Sequence, residues 1–355
     1  MHRQFLLLAL EQAKLGQGLC APNPCVGAIA VRNGTIIAQA WHQGAGSPHA
    51  EQLLLAQFPP KTPGVVVYCT LEPCNHWGRT PPCVDGLIQH GIEKVVFAYA
   101  DPNPLVAKGR SAELLRAQGI DVEQVCLPEI DAFYASYTYW TKTKKPKVTV
   151  KMAHTFDGAI AGPEGERIQL SNAECGIFTQ EQRKATDVIL TTARTLALDN
   201  PMMNVRLNGS IQAKSVAIID SNLALSQDLQ IFSTARHCHI YHASNNAGNY
   251  KNSSFYQIPE KNGKMDLAAV ISHLGSLGFH DVWVEAGGAL FTSLHLQGLV
   301  HRTYIYLVPK NLGSKAISAY QEPGIFDKKH TISWQARGNN MIACVDWQEH
   351  ACLPE

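Results

Sequence analysis

At 355 residues the chain is too long for one ordinary domain and suits two. Its 30 Lys and Arg against 29 Asp and Glu leave a formal net charge of +1, which excludes the electrostatic footprint of a nucleic-acid or anionic-membrane binder. No stretch reaches the ~18 apolar residues of a membrane span, the early run from Phe5 to Leu10 lacks a small-residue cleavage site, and ten scattered cysteines suit free thiols plus a metal, so a soluble cytoplasmic protein is expected.

A helical pattern over residues 2–15 leads to a hairpin whose strands, 26–31 and 35–40, flank the turn pair Asn33-Gly34. Ser47 as N-cap and Pro48 at the first helical position predict a helix through 49–56. An apolar run at 65–69, a helix opened by Cys83, a run at 94–98, a helix over 112–118 ended by Gly119 and a strand at 121–125 complete an α/β sandwich on a mixed sheet. The aromatic-rich stretch 129–143 reads as a connecting helix, and a new α/β alternation starts at Lys147. Domains of 1–145 and 146–355 are therefore expected.

Ser47-Pro48-His49-Ala50-Glu51, followed by Pro73-Cys74 and by Cys83, carries the most specific chemistry. One imidazole and two thiolates give zinc three ligands and leave a fourth tetrahedral position for water, the arrangement of a catalytic site. Zinc lowers the pKa of water towards neutrality, and Glu51 is the carboxylate that can move the proton to a leaving nitrogen. His-x-Glu followed by Pro-Cys and a further Cys is the signature of zinc nucleobase deaminases. Residues two apart do not share a helix face, so His49 and Glu51 are expected to reach off the open N-terminal end of their helix. Cys83, at a helix start that favours the thiolate, is expected to meet the same ion. The alternative is a closed structural site with His76 or Cys69 as fourth ligand; it leaves Glu51 without a role, and the short Cys-x-x-Cys pair common in such sites is missing.

The second half carries weaker signals. No Gly-x-Gly-x-x-Gly follows a strand. A strand at 281–285 runs into Ala286-Gly287-Gly288-Ala289 and a helix, where a diglycine would let backbone amides approach a phosphate, although such glycines are more often turn residues. Arg183 and Arg206 could fork onto another phosphate, and the bland reading of each is a solvated surface group. Asp199-Asn200-Pro201 is a turn by default, and His237, His239 and His242 lack a carboxylate or cysteine at ligand spacing and read as structural.

The chain resembles the bifunctional deaminase–reductases of riboflavin biosynthesis. The residues that carry the likeness are Pro22-Asn23-Pro24-Cys25-Val26-Gly27, Trp41-His42-Gln43-Gly44-Ala45-Gly46, Pro48-His49-Ala50-Glu51, Thr70-Leu71-Glu72-Pro73-Cys74, Gly78-Arg79-Thr80-Pro81-Pro82-Cys83 and Asp101-Pro102-Asn103-Pro104. In the second half they are Lys151, Asp157-Gly158, Asp199 with Pro201, Arg206, Ile219-Asp220-Ser221, Val284-Glu285-Ala286-Gly287-Gly288, Pro309-Lys310 and Leu312-Gly313; the tail after Ser314 matches poorly.

The resemblance implies an N-terminal cytidine-deaminase-like three-layer α/β/α domain followed by a dihydrofolate-reductase-like α/β domain. The first would hydrolyse the 2-amino group of 2,5-diamino-6-ribosylamino-4(3H)-pyrimidinone 5′-phosphate, and the second would use NADPH to reduce the ribosyl side chain to ribityl. By similarity, His49, Cys74 and Cys83 hold one zinc ion per chain and Glu51 is the proton donor. Asn23, His42, His76, Arg79, Asp101 and Asn103 shape the deaminase substrate site. Arg167, Arg183, Met203, Arg206 and Glu285 fall where the family binds the reductase substrate, and Lys151, Ala153, Gln169, Thr195, Asp199, Ser221, Gly287 and Gly288 where it binds NADPH. A homodimer or tetramer through the reductase domain is implied, with a small phosphorylated pyrimidine as substrate and neither nucleic acid nor membrane as partner.

This chain departs from the family at Gly165-Glu166-Arg167-Ile168-Gln169-Leu170-Ser171, where relatives commonly read Gly-Glu-Ser-x-Trp-Ile-Thr. Gln169 thus replaces an aromatic that would pack beside the nicotinamide, and Arg167 replaces a serine. Two rivals remain: a deaminase of free nucleobases, nucleosides or tRNA whose appended reductase-like domain is unrelated or catalytically decayed, and a non-enzymatic scaffold in which zinc only holds the fold.

Overall fold

Alternation of side chains along each strand decides how the first sheet is covered. The computed structural model describes residues 1–347 apart from 79, 109, 247, 262, 286 and 321, and the chain divides into two units after Lys144. The first unit runs α1 (His2–Lys14), β1 (Gly27–Arg32), β2 (Thr35–Trp41), α2 (Ala50–Leu55), β3 (Val65–Leu71), α3 (Cys83–His90), β4 (Lys94–Tyr99), α4 (Ser111–Ala117), β5 (Asp121–Gln124) and α5 (Pro128–Thr143). The sheet order is β2-β1-β3-β4-β5. Its hairpin half is antiparallel and β3, β4 and β5 are parallel.

Ala28, Ala30, Val67, Cys69, Val95 and Phe97 face Leu54, Val84, Leu87 and Leu115 of α2, α3 and α4. Their neighbours Ile29, Val31, Tyr68, Val96 and Ala98 face Leu6, Leu10, Ile130 and Tyr134 of α1 and α5. Period-two patterning therefore makes a three-layer α/β/α sandwich. At the β1–β2 turn Asn33 and Gly34 take φ of 51° and 78°, the left-handed pair that a two-residue hairpin of this twist requires.

The second unit is built on nine strands, β6 (Lys147–Thr155), β7 (Val188–Thr192), β8 (Ser215–Ile219), β9 (His237–His242), β10 (Ser253–Gln257), β11 (Asp281–Glu285), β12 (Arg302–Val308), β13 (His330–Arg337) and β14 (Asn340–Trp347). Their order is β10-β9-β8-β7-β11-β6-β12-β14-β13. The first seven positions are parallel, and an antiparallel hairpin closes one edge. That hairpin lies in the tail where the sequence motifs thin out: motif residues report the site, whereas an edge hairpin needs only alternating side chains and a tight turn.

Helices α8 (Leu267–Ser276) and α9 (Gly288–Leu296) cover one face, packing Val270, Leu274, Phe291 and Leu294 on Val148, Val150, Leu190 and Val284. Helix α6 (Ala173–Ala185) covers the other through Cys175 and Phe178, against Trp283, Tyr304 and Tyr306. A short helix α7 (Ala193–Asp199) leaves the end of β7. Crevices beyond the C-terminal ends of parallel strands are where such sheets bind ligands, and in both units the candidate residues gather there.

Candidate functional site

The loop after β3 carries Cys74, α3 opens on Cys83, and His49 immediately precedes α2. The helix was expected to begin at Pro48, but the Ser47 hydroxyl donates to the Gly44 carbonyl at 2.7 Å instead of capping. His49 becomes the N-cap, with extended backbone at φ −68° and ψ 161°, and its ring meets the two cysteines.

His49 Nδ1 lies 3.3 Å from Cys83 Sγ and 3.4 Å from Cys74 Sγ, and the two sulfurs are 3.4 Å apart. Bonds of ~2.0–2.3 Å in a tetrahedron separate zinc ligands by about 3.5–3.8 Å, so a small relaxation accommodates the ion. Among the described residues this is the one group able to hold a metal, and neither Cys69 nor His76 joins it. The donor set fits zinc with a fourth position open. Elemental analysis of the purified chain is expected to find one zinc per chain; none, or two, would refute the site as drawn.

Hydrogen bonding from the Cys83 thiol holds Cys74 down at about 4, against burial and with help from His49. Cys83, facing that thiolate and buried, is pushed well up. A dication would draw both into the thiolate form. Glu51, 4% exposed, is raised to about 7 by burial first and by the Cys74 sulfur second, with His49 opposing. A carboxyl near neutrality can both take and return a proton.

His42 is buried, and burial keeps it neutral. Its Nδ1 lies 3.1 Å from the Pro48 carbonyl and its Nε2 3.1 Å from Asn23 Nδ2. The carbonyl can only accept, so Nδ1 carries the proton and Nε2 accepts from the Asn23 amide. Beyond β4, Asp101 Oδ1 accepts from the Asn103 amide at 2.9 Å and from the Tyr137 hydroxyl at 3.2 Å. Burial raises its carboxyl to about 6 in spite of both bonds. His76 Nδ1 is buried and finds no partner among the described residues. Arg79 lies outside the described residues.

In the second unit, Arg183 on α6 and Glu285 at the end of β11 form a bidentate pair, Nε to Oε1 at 2.6 Å and Nη2 to Oε2 at 2.8 Å. The indole N–H of Trp283 donates to Oε1 at 2.7 Å. Burial opposes the charged form of Glu285, but Arg183, Lys151 and that indole outweigh it and hold the carboxyl at about 2. Arg183 also donates to the Asn204 carbonyl at 2.9 Å and contacts Met203 Sδ at 3.8 Å. Expected beside Arg206 at a phosphate, its guanidinium is instead committed to Glu285, because a buried cation must find its partner inside. Arg206 is exposed on its own short strand, its backbone N–H bonded to Gln180.

Lys151 on β6 is paired in register with Glu285 and sits 5.1 Å from the Tyr306 ring centre. Ala153, also on β6, pairs with Tyr306 of β12. Arg167 Nε lies 3.3 Å from Asp199 Oδ1, Gln169 is bonded within its loop to the Ser171 carbonyl, and Thr195 is in the first turn of α7, capped by Thr192. Ser221 follows β8, its carbonyl accepting from Ala243. Gly287 caps α9, and a Cβ on Gly288 would come within 2.8 Å of the Ala319 carbonyl, so that position admits no side chain. Sequence reasoning missed Trp283, Asn204 and Tyr137. A signal existed only for the first: two residues from Glu285 on one strand, it must share that face.

The family description "RibD C-terminal domain" matches residues 146–343, and "Cytidine and deoxycytidylate deaminase zinc-binding region" matches residues 1–99. The riboflavin biosynthesis protein RibD of Actinobacillus pleuropneumoniae is 34% identical over 319 residues, covering 88% of this chain and 84% of that one. The Escherichia coli (strain K12) protein of that name is 32% identical over 335 residues, covering 90% and 91%. The solved structure of a Thermotoga maritima diaminohydroxyphosphoribosylaminopyrimidine deaminase/5-amino-6-(5-phosphoribosylamino)uracil reductase superimposes with a TM-score of 0.84 at 26% identity, covering 98% of this chain and 99% of that one.

Proposed function

Because the chain belongs to the RibD family of riboflavin biosynthesis proteins, we propose that residues 1–145 deaminate, and residues 146–355 then reduce, one phosphorylated pyrimidine. The protein is a bifunctional enzyme with deaminase and reductase activities, zinc serving the first and NADPH the second. The observation that carries the deaminase assignment is the His49–Cys74–Cys83 triangle with buried Glu51 interacting with all three of its members.

Zinc, when bound, supplies the Lewis acidity that makes water a nucleophile near neutral pH. Glu51 takes the proton of the attacking water and returns it to the departing 2-amino nitrogen. Neutral His42 aims the Asn23 amide, and His76, Asp101, Asn103 and Arg79 hold the pyrimidine ribosyl phosphate. In the reductase half NADPH supplies the hydride. Arg167, Glu285, Arg183 and Met203 form the substrate wall, Arg206 meets the phosphate, and Lys151, Ala153, Gln169, Thr195, Asp199, Ser221, Gly287 and Gly288 line the dinucleotide. Arg206→Ala is expected to weaken binding of the deaminated intermediate by about 1.5–3 kcal/mol, the worth of a charge-assisted hydrogen bond; an unchanged KM would return Arg206 to the solvated surface.

A second reading, a deaminase whose reductase half has decayed, draws on the Arg167–Asp199 pair, which engages a residue assigned to the dinucleotide. Following ammonia release and NADPH oxidation together on the diamino substrate decides between them. Both signals are expected; ammonia alone would favour decay. We also propose a cytoplasmic homodimer or tetramer. Strand β13 at the sheet edge exposes Ile332 and Trp334, the kind of edge that an oligomer covers, and no described helix is long and apolar enough to cross a membrane.

A further inference from the structure

The deaminase half contains two buried tyrosines that the mechanism leaves unused. Tyr134 and Tyr137 lie three residues apart on α5, so they share a helix face, and they are 1% and 6% exposed. Each aims a hydroxyl at a loop that holds proposed substrate residues. Tyr134 donates to the Cys25 carbonyl at 2.8 Å, which spends its one proton, so the Thr70 hydroxyl 2.7 Å away must be the donor to it. Thr70 in turn accepts the Gly27 N–H at 3.1 Å. This chain fixes the backbone just after Asn23.

Tyr137 does the equivalent for the other loop. Its hydroxyl donates to Asp101 Oδ1 at 3.2 Å, the oxygen that also takes the Asn103 N–H, while the Asp101 N–H faces Glu72 Oε2 at 3.4 Å. A carboxylate is planar. With one oxygen pinned by two donors and the backbone held, the direction of its second oxygen is set. A phenylalanine would fill the same space beside Tyr134 and Trp140, so the hydroxyl adds direction rather than packing.

We propose that Tyr137 is a positioning residue of the deaminase, orienting the Asp101 carboxylate towards the pyrimidine ribosyl phosphate. The proposal rests on the assignment of Asp101 to that substrate. The test is steady-state ammonia release by the zinc-loaded full chain, comparing wild type, Tyr137→Phe and Asp101→Asn, with zinc content and NADPH oxidation on the deaminated intermediate as internal controls. Tyr137→Phe is expected to raise KM for the diamino substrate about 3- to 10-fold with kcat little changed, the range of one hydrogen bond, and with both controls intact. If Asp101→Asn raises KM and Tyr137→Phe does not, the positioning role is wrong and the Asp101 assignment stands. If neither changes KM, the assignment itself fails and takes the proposal with it. A fall in kcat with loss of zinc would mean that Tyr137 is merely structural, which also overturns it.

Discussion

Glu51→Gln is expected to lower deamination by a factor of about 10² to 10⁴, the usual contribution of a positioned general acid and base, with the zinc content unchanged. Glutamine keeps the size and the reach of the side chain but cannot cycle a proton. The wild-type carboxyl suits that cycle: burial and the Cys74 sulfur raise it to about 7, and it interacts with Cys74, His49 and Cys83, the three ligands that the substitution leaves alone. A group wholly ionised or wholly protonated at working pH would do only half of the task. Reduction is assigned to the other unit, so the variant should still oxidise NADPH when given the deaminated intermediate and fail when given the diamino substrate. Ammonia release at the wild-type rate would remove Glu51 from the mechanism. Loss of both activities would show that the two halves do not work as independent sites.

The metal site is legible in the sequence because its demands are local. Ligand type, the Pro-Cys step and helix starts at 49–51 and 83 all follow from neighbours in the chain. The α/β sandwich is legible for a similar reason, since Ala28 to Val31 and Val95 to Ala98 are apolar on both faces, as strands covered on either side by helices must be; the three-layer arrangement is implied by the family resemblance. Partnerships between distant segments are not. That Arg183 meets Glu285, 102 positions away, or that Tyr137 meets Asp101, depends on how α6 and α5 dock, and no spacing rule carries that information. The helix start at Ala50 rather than Pro48 is a smaller case: Ser47 has the right chemistry for a cap, and a competing turn to Gly44 uses it.

Arg183→Ala is expected to cost the second unit about 3–5 kcal/mol, because it leaves the Glu285 carboxylate buried without its guanidinium. The pair is 9% and 14% exposed by side chain, which puts it outside the class of surface pairs worth about 1 kcal/mol or less. Replacing both members, Arg183→Met with Glu285→Leu, should recover most of that loss, since the desolvation cost disappears together with the attraction. Neither variant should reduce the intermediate, because Glu285 loses either its orientation or its charge. The pH dependence has a definite sign. The carboxyl is held at about 2, below its ordinary 4.5, so the stability it contributes is fully present above pH 4.5 and is lost as pH falls towards 2. The gap between wild type and Arg183→Ala in urea-unfolding midpoint should therefore be widest near neutrality and narrow over that acid range. A midpoint for Arg183→Ala equal to that of wild type at pH 7 would show that Trp283 and Lys151 alone satisfy Glu285, and that Arg183 remains available for a substrate phosphate after all.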